Sequence, residues 1–166
     1  MRLIIAAVSA IFFLAAPALA EDDVMHAVTG QQLVDILEGQ GFAADLTHDG
    51  YGDPLVVAQA GGIDFTIITY GCDGASVPAC ARLQMAAQFA LPEGASEGDI
   101  AMMNAYNQRF LFGRAYIDQE GAATVDYVIN LNRGISEDNL MENLMIWLHV
   151  LNEFVNGLGG RDVATS

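Results

Sequence analysis

Residues 55–70 read LVVAQAGGIDFTIITY, and this stretch decides the fold. Two short β-rich runs, Leu55 to Gln59 and Ile63 to Tyr70, flank Gly61-Gly62. Paired glycines supply the positive φ angles of a tight hairpin turn, so the runs pair antiparallel. Upstream, Phe42 to Thr47 is a further β stretch, separated from Leu55 by His48-Asp49-Gly50-Tyr51-Gly52-Asp53-Pro54, a segment dense in turn residues. Downstream, Ala81 to Ala90 alternates imperfectly and makes a fourth strand. The centre of the chain is therefore a meander of antiparallel strands.

Helices are expected around that meander. Thr29 or Gly30 opens one that runs through Gln40, with Leu33, Ile36 and Leu37 on one face and Gly39 and Gly41 at its end. Pro92-Glu93-Gly94 interrupts the chain after the fourth strand, and Ser96 caps a second helix to about Gln108, with Glu97 and Asp99 favouring the positive end of its dipole. Phe110 to Asp118 and Ala122 to Asn130 read as a second hairpin around Gln119-Glu120-Gly121, and Ser136 caps the last helix. There, Leu140, Leu144, Trp147, Leu151, Val155 and Leu158 recur at steps of four and three. Met141, Met145, Ile146 and Val150 widen the apolar arc beyond one face, which points to a helix in the core that also serves an interface, at Met141, Met145 and Val150. The order α-ββββ-α-ββ-α predicts an α+β fold, an antiparallel sheet of about five to six strands flanked by helices.

The ends of the chain read differently. Arg2 followed by the apolar run Leu3 to Ala16, then Pro17 and the small-x-small pattern Ala18-Leu19-Ala20, has the form of a signal peptide over residues 1–20 with cleavage after Ala20. A spanning helix needs about 20 apolar residues, and this run ends sooner, in Glu21-Asp22-Asp23. The expectation is a periplasmic or secreted protein with no stable membrane association once the signal is removed. Residues 21–28 read as a flexible lead-in, 29–158 as the domain, and 159–166 as a flexible tail. The chain carries 6 basic and 21 acidic residues, a net charge of −15, which becomes −16 when Arg2 leaves with the signal. No lysine occurs. Such a field repels phosphate backbones, so nucleic acid is excluded as a partner.

Catalytic parts are scarce. Cys72 and Cys80 are the only two cysteines; in an exported protein a pair this close is expected to bond, closing a loop worth about 2.6 kcal/mol in the chain-entropy model. A redox pair takes the tighter C-x-x-C spacing, and two thiolates alone do not make a zinc site. Asp45, Asp49, Gly50 and Asp53 fall at positions 1, 5, 6 and 9 of a calcium loop, but Val56 stands where the bidentate Glu belongs, so a solvated turn is the better reading. His26, His48 and His149 are isolated. Ser76 lacks a G-x-S-x-G elbow, and among seventeen glycines neither phosphate-loop pattern occurs. No catalytic residue, metal or cofactor is assigned.

At Asn104-Ala105-Tyr106-Asn107-Gln108-Arg109-Phe110, running into Arg114-Ala115-Tyr116-Ile117-Asp118, the chain resembles the YbjN-domain family, described as bacterial sensory transduction regulators. Gly71-Cys72-Asp73 and the Trp147-bearing helix are similar to its exported branch. The resemblance covers roughly Thr29 to Leu158. It implies a fold similar to class I type III secretion chaperones, a twisted antiparallel sheet flanked by helices, often dimeric, with no established reaction. From the residues themselves, Asn104 and Asn107 share a helix face and read as a structural latch, with ligand contact as the alternative. Arg109 and Arg114 are expected to pair with carboxylates, Asp118, Glu120 and Asp126 being near in sequence, with a bound anion as the alternative. The leading expectation is a non-enzymatic interaction module, chaperone-like or regulatory, that binds a protein or peptide and can form a homodimer. A small-molecule or anion-binding sensor is the second reading, and an unrecognised enzyme the third.

Overall fold

The computed structural model describes residues 24–91 and 93–159; the expected signal peptide, the first part of the lead-in and most of the tail lie outside the described residues. The order is β1 (Val28–Thr29), α1 (Gly30–Gly39), β2 (Ala43–His48), β3 (Pro54–Ala60), β4 (Ile63–Cys72), β5 (Ala79–Phe89), α2 (Glu97–Arg109), β6 (Arg114–Ile117), β7 (Ala123–Asn130) and α3 (Glu137–Gly157). Seven strands form one antiparallel sheet in the order β2-β3-β4-β5-β7-β6, with β1 joining at β5. The expected α+β architecture is present.

The sheet is built by hairpins. Gly61 and Gly62 turn β3 into β4 at φ of 60° and 83°, the positive angles that a side chain disfavours. In β4, Phe65, Ile67 and Thr69 point to the core, while Asp64, Thr66, Ile68 and Tyr70 point away. That alternation passes in register to β5 and β7, through Ile68↔Gln84 and Gln84↔Val128. The Asp49 to Asp53 segment is a turn: the Asp49 carboxylate accepts the amides of Tyr51 (2.8 Å) and Asp53 (3.0 Å).

All three helices are capped by a hydroxyl one residue ahead: Thr29 with Gln32, Ser96 with Asp99, and Ser136 toward the amide of Asn139. α1 crosses β2 and β3 so closely that a Cβ on Gly30 would sit 2.4 Å from a Leu46 methyl carbon. α3 supplies the largest share of the core. Trp147 stacks tilted on Phe65 and Phe154 on Phe89, each at 5.7 Å, and Leu140, Leu144, Leu151 and Leu158 are buried beside them.

Three expectations change. The lead-in is part of the fold from Val24 onward: Met25 and Ile135 exchange both backbone hydrogen bonds, and Val28 in β1 is fully buried opposite Cys80. β1 takes its place along β5 where β7 stops, at Asn130↔Arg82, so a two-residue strand completes an otherwise open ladder. Second, the strand read over Phe110 to Asp118 is only Arg114 to Ile117. Phe110 folds back on Tyr106 (ring centroids 4.7 Å apart), and Gly113 turns at φ 79° against Val150, where a Cβ would come within 2.6 Å. Third, the inward face of α3 is wider than the expected stripe: Leu140, Leu144, Trp147, Leu151 and Leu158 are buried as expected, Val150 and Phe154 are buried with them, and Val155 is half-buried.

Candidate functional site

Helices α1 and α3 pack on the side of the sheet that carries Pro54, Phe65 and Phe89. Among the described residues, the ring contacts of α3 with Phe65 and Phe89 fall on that side and not on the opposite face. One cross-strand row there runs Leu55, Ile68, Gln84, Val128, and its neighbour runs Val57, Thr66, Ala86, Asp126, Arg114. Val57, Tyr70 and Val128 are 38, 43 and 53% exposed. Leu55, Ile68, Thr66 and Ala86 are half-buried between them. Leu55, Val57, Ile68 and Ala86 thus form an apolar patch across β3, β4 and β5, with Val128 on β7 beyond Gln84.

A polar clamp borders this patch. Asp126 in β7 is buried, although it lies on the uncovered face. Its Oδ1 accepts Arg114 Nε (3.2 Å), and its Oδ2 accepts Arg114 Nη2, Gln84 Nε2 (2.8 Å) and the Tyr116 hydroxyl (3.2 Å). Tyr70 extends the chain by donating to Gln84 Oε1 at 2.7 Å. The Arg114 guanidinium also lies over the Tyr116 ring at 4.9 Å. Its hydrogen bond with Asp126 raises the pKa of Arg114, and burial raises that of Tyr116 with a further contribution from Asp126. Below this, burial pushes the Asp118 carboxyl up. Donors from Ala122, Thr124, Gln88 and Glu120 outweigh it and hold Asp118 below the ordinary carboxylate value. With four donors on one carboxylate, contributed by Arg114, Gln84 and Tyr116, the cluster fastens β6 to the sheet.

The sequence-predicted residues separate accordingly. Cys72 and Cys80 are directly opposite across β4 and β5 and are bonded, with Cα atoms 3.9 Å apart. Arg114 pairs with a carboxylate, Asp126, as expected. Arg109 does not; its guanidinium lies over Phe110 at 5.1 Å, because the chain bends back at Phe110 and carries it away from the hairpin carboxylates. Asn107 is a latch: its Nδ2 donates to the Ala115 carbonyl (2.8 Å) and its Oδ1 accepts the Ala115 amide (2.9 Å). Asn104, one turn earlier, is exposed and makes no side-chain hydrogen bond among the described residues, because the edge of β6 ends before reaching it.

The interface expectation on α3 is partly corrected. Met145 is 60% exposed and Met141 half-buried, but Val150 is buried against Gly113 and below the Tyr106 hydroxyl, which donates to the Val150 carbonyl. It has no surface to offer a partner. Gln84, Tyr70 and Tyr116 were not singled out from sequence. Only the register, which no single strand encodes, brings them to Asp126.

The chain matches one family, "YbjN: Putative bacterial sensory transduction regulator", over residues 29–159. It belongs to the YbjN family. No curated protein matches it. The matched span starts at the α1 N-cap and ends just past α3, so α1, α2, α3 and strands β2 to β7 lie within the YbjN domain. The family is described as regulatory and not by any reaction. No described helix is long and apolar enough to cross a membrane.

Proposed function

We propose that this YbjN domain is a non-enzymatic regulatory module of the periplasm that docks a protein or peptide on its uncovered sheet face. The observation that carries the reading is the apolar surface of Leu55, Val57, Ile68 and Val128, which no described helix covers. Contiguous apolar surface on a soluble domain marks interaction sites. Side chains on a sheet face form a rigid surface held by the ladder itself, so little ordering entropy opposes binding. The polar rim of Asp126, Arg114, Gln84 and Tyr70 then fixes orientation, as polar rims do at interfaces. With a chain charge of −15, the favoured partner is uncharged or basic at its contact surface. Self-association into a homodimer would use the same surface.

The test is capture from native cells with the protein as bait. A partner retained by the wild type should be lost on Val57→Glu with Val128→Glu, and kept on Met145→Glu. Retention by the double variant would remove the sheet face from consideration. The small-ligand reading has one feature in its favour, a groove beside Arg109.

A further inference from the structure

That groove lies between the C-terminal halves of α2 and α3, remote from the uncovered sheet face, and holds about 270 Å³. Arg109 and Glu153 both line it. Neither closes on the other in a salt bridge. Two opposite charges thus share one small concavity without neutralising each other. Arg109 is kept there by its contact with the Phe110 ring, itself stacked on Tyr106. Tyr106 cannot quench Glu153, because its proton is directed to the Val150 carbonyl at 3.3 Å. Burial and the Glu153 charge together push the Tyr106 hydroxyl up to about 12, which keeps that proton in place at any ordinary pH. Asn156 donates its Nδ2 to Asn152 at 2.7 Å, which leaves its carbonyl oxygen as an acceptor beside Glu153. Met102 and Ala105 supply apolar wall.

We propose that this groove binds a small zwitterion of the free amino acid class, with its carboxylate on Arg109, its ammonium on Glu153 and Asn156, and an apolar side chain against Met102 and Ala105. A simple anion would meet the field of a −15 chain, and a simple cation would leave Arg109 unmet; a zwitterion has no net charge to be repelled and satisfies both ends. The volume is at the small end for ligand sites, which suits one amino acid rather than a longer peptide. The proposal is independent of docking on the sheet face.

The experiment is titration of the purified protein by chemical-shift perturbation with L-leucine, N-acetyl-leucine and leucinamide. Leucine should saturate with a dissociation constant on the order of 1 mM. Each singly charged analogue should bind about tenfold more weakly, one charge contact being lost. Arg109→Ala and Glu153→Gln should each weaken leucine by a similar factor, with unchanged melting temperatures, and Arg133→Ala should have no effect. Equal affinity for either analogue, unchanged affinity in both variants, or no saturation by leucine, methionine or phenylalanine below about 20 mM would overturn the proposal.

Discussion

Replacing Asn107 with Ala should do two separable things. The Asn107 carboxamide makes two hydrogen bonds, to the amide and carbonyl of Ala115. Both backbone groups point away from β7, to which β6 is paired, so the side chain occupies the outer edge of the sheet as a further strand would. Each bond contributes about 0.5–1.5 kcal/mol, and solvent can partly replace bonds made by an exposed residue, so the pair should be worth about 1–2 kcal/mol. Ala also gains a few tenths of a kcal/mol in helix propensity over Asn. Asn104→Ala changes the same propensity without touching β6, so the difference between the two variants isolates the latch. Urea unfolding should place Asn107→Ala about 1–2 kcal/mol below Asn104→Ala, with equal m-values. Freed backbone groups on a sheet edge also recruit other chains. Sedimentation of Asn107→Ala should therefore be concentration-dependent where Asn104→Ala is not. Equal stabilities and equal sedimentation in the two variants would refute the latch.

Other outcomes follow from the core, the disulfide and the buried tyrosine. Trp147→Ala removes a fully buried ring against Phe65 and should cost about 3–5 kcal/mol. Trp147→Phe should cost far less, since the indole Nε1 is buried without a partner and its removal abolishes an unmet donor; thermal melts rank the two. Intact mass after alkylation should show no label on Cys72 or Cys80 until reductant is added, and replacing both with Ser should cost about 2–3 kcal/mol without abolishing the fold. Tyr106 is pushed up to about 12 by burial and then Glu153, above its ordinary unfolded value. Its contribution is therefore fully present below about pH 10 and is lost as pH rises toward 12. Tyr106→Phe should flatten that part of the alkaline stability profile; an unchanged profile would assign the loss to other groups.

The fold was legible because its signals are local. The Gly61-Gly62 turn, the hydroxyl caps at Thr29, Ser96 and Ser136, and the leucine stripe of α3 each follow from residues close in sequence. β1 is not legible in the sequence because a two-residue strand has no period; its pairing depends on the gap that β7 leaves along β5. Val150 was misplaced because a period of 3.6 fixes which residues share a face but not the neighbours that cover it. Gly113, in a loop read as strand, covers Val150. The same limit hid the uncovered face. Alternation in β4 and β5 separates two sets of side chains, yet which set the helices leave open is decided by how α1 and α3 dock. Met145 is visible in the sequence as part of the wide apolar arc of α3, whereas the sheet patch is assembled across β3, β4, β5 and β7 by their register.

The docking claim is tested most directly by a photo-crosslinking residue placed singly at Val128 or at Met145 and activated in native cells. Both positions are more than half exposed, so they are equally reachable by chance encounters. The sheet-face account predicts a discrete crosslinked product, a partner or a second copy of the chain, at Val128 and none at Met145. A discrete product at Met145 with none at Val128 would contradict it and return the interface to α3.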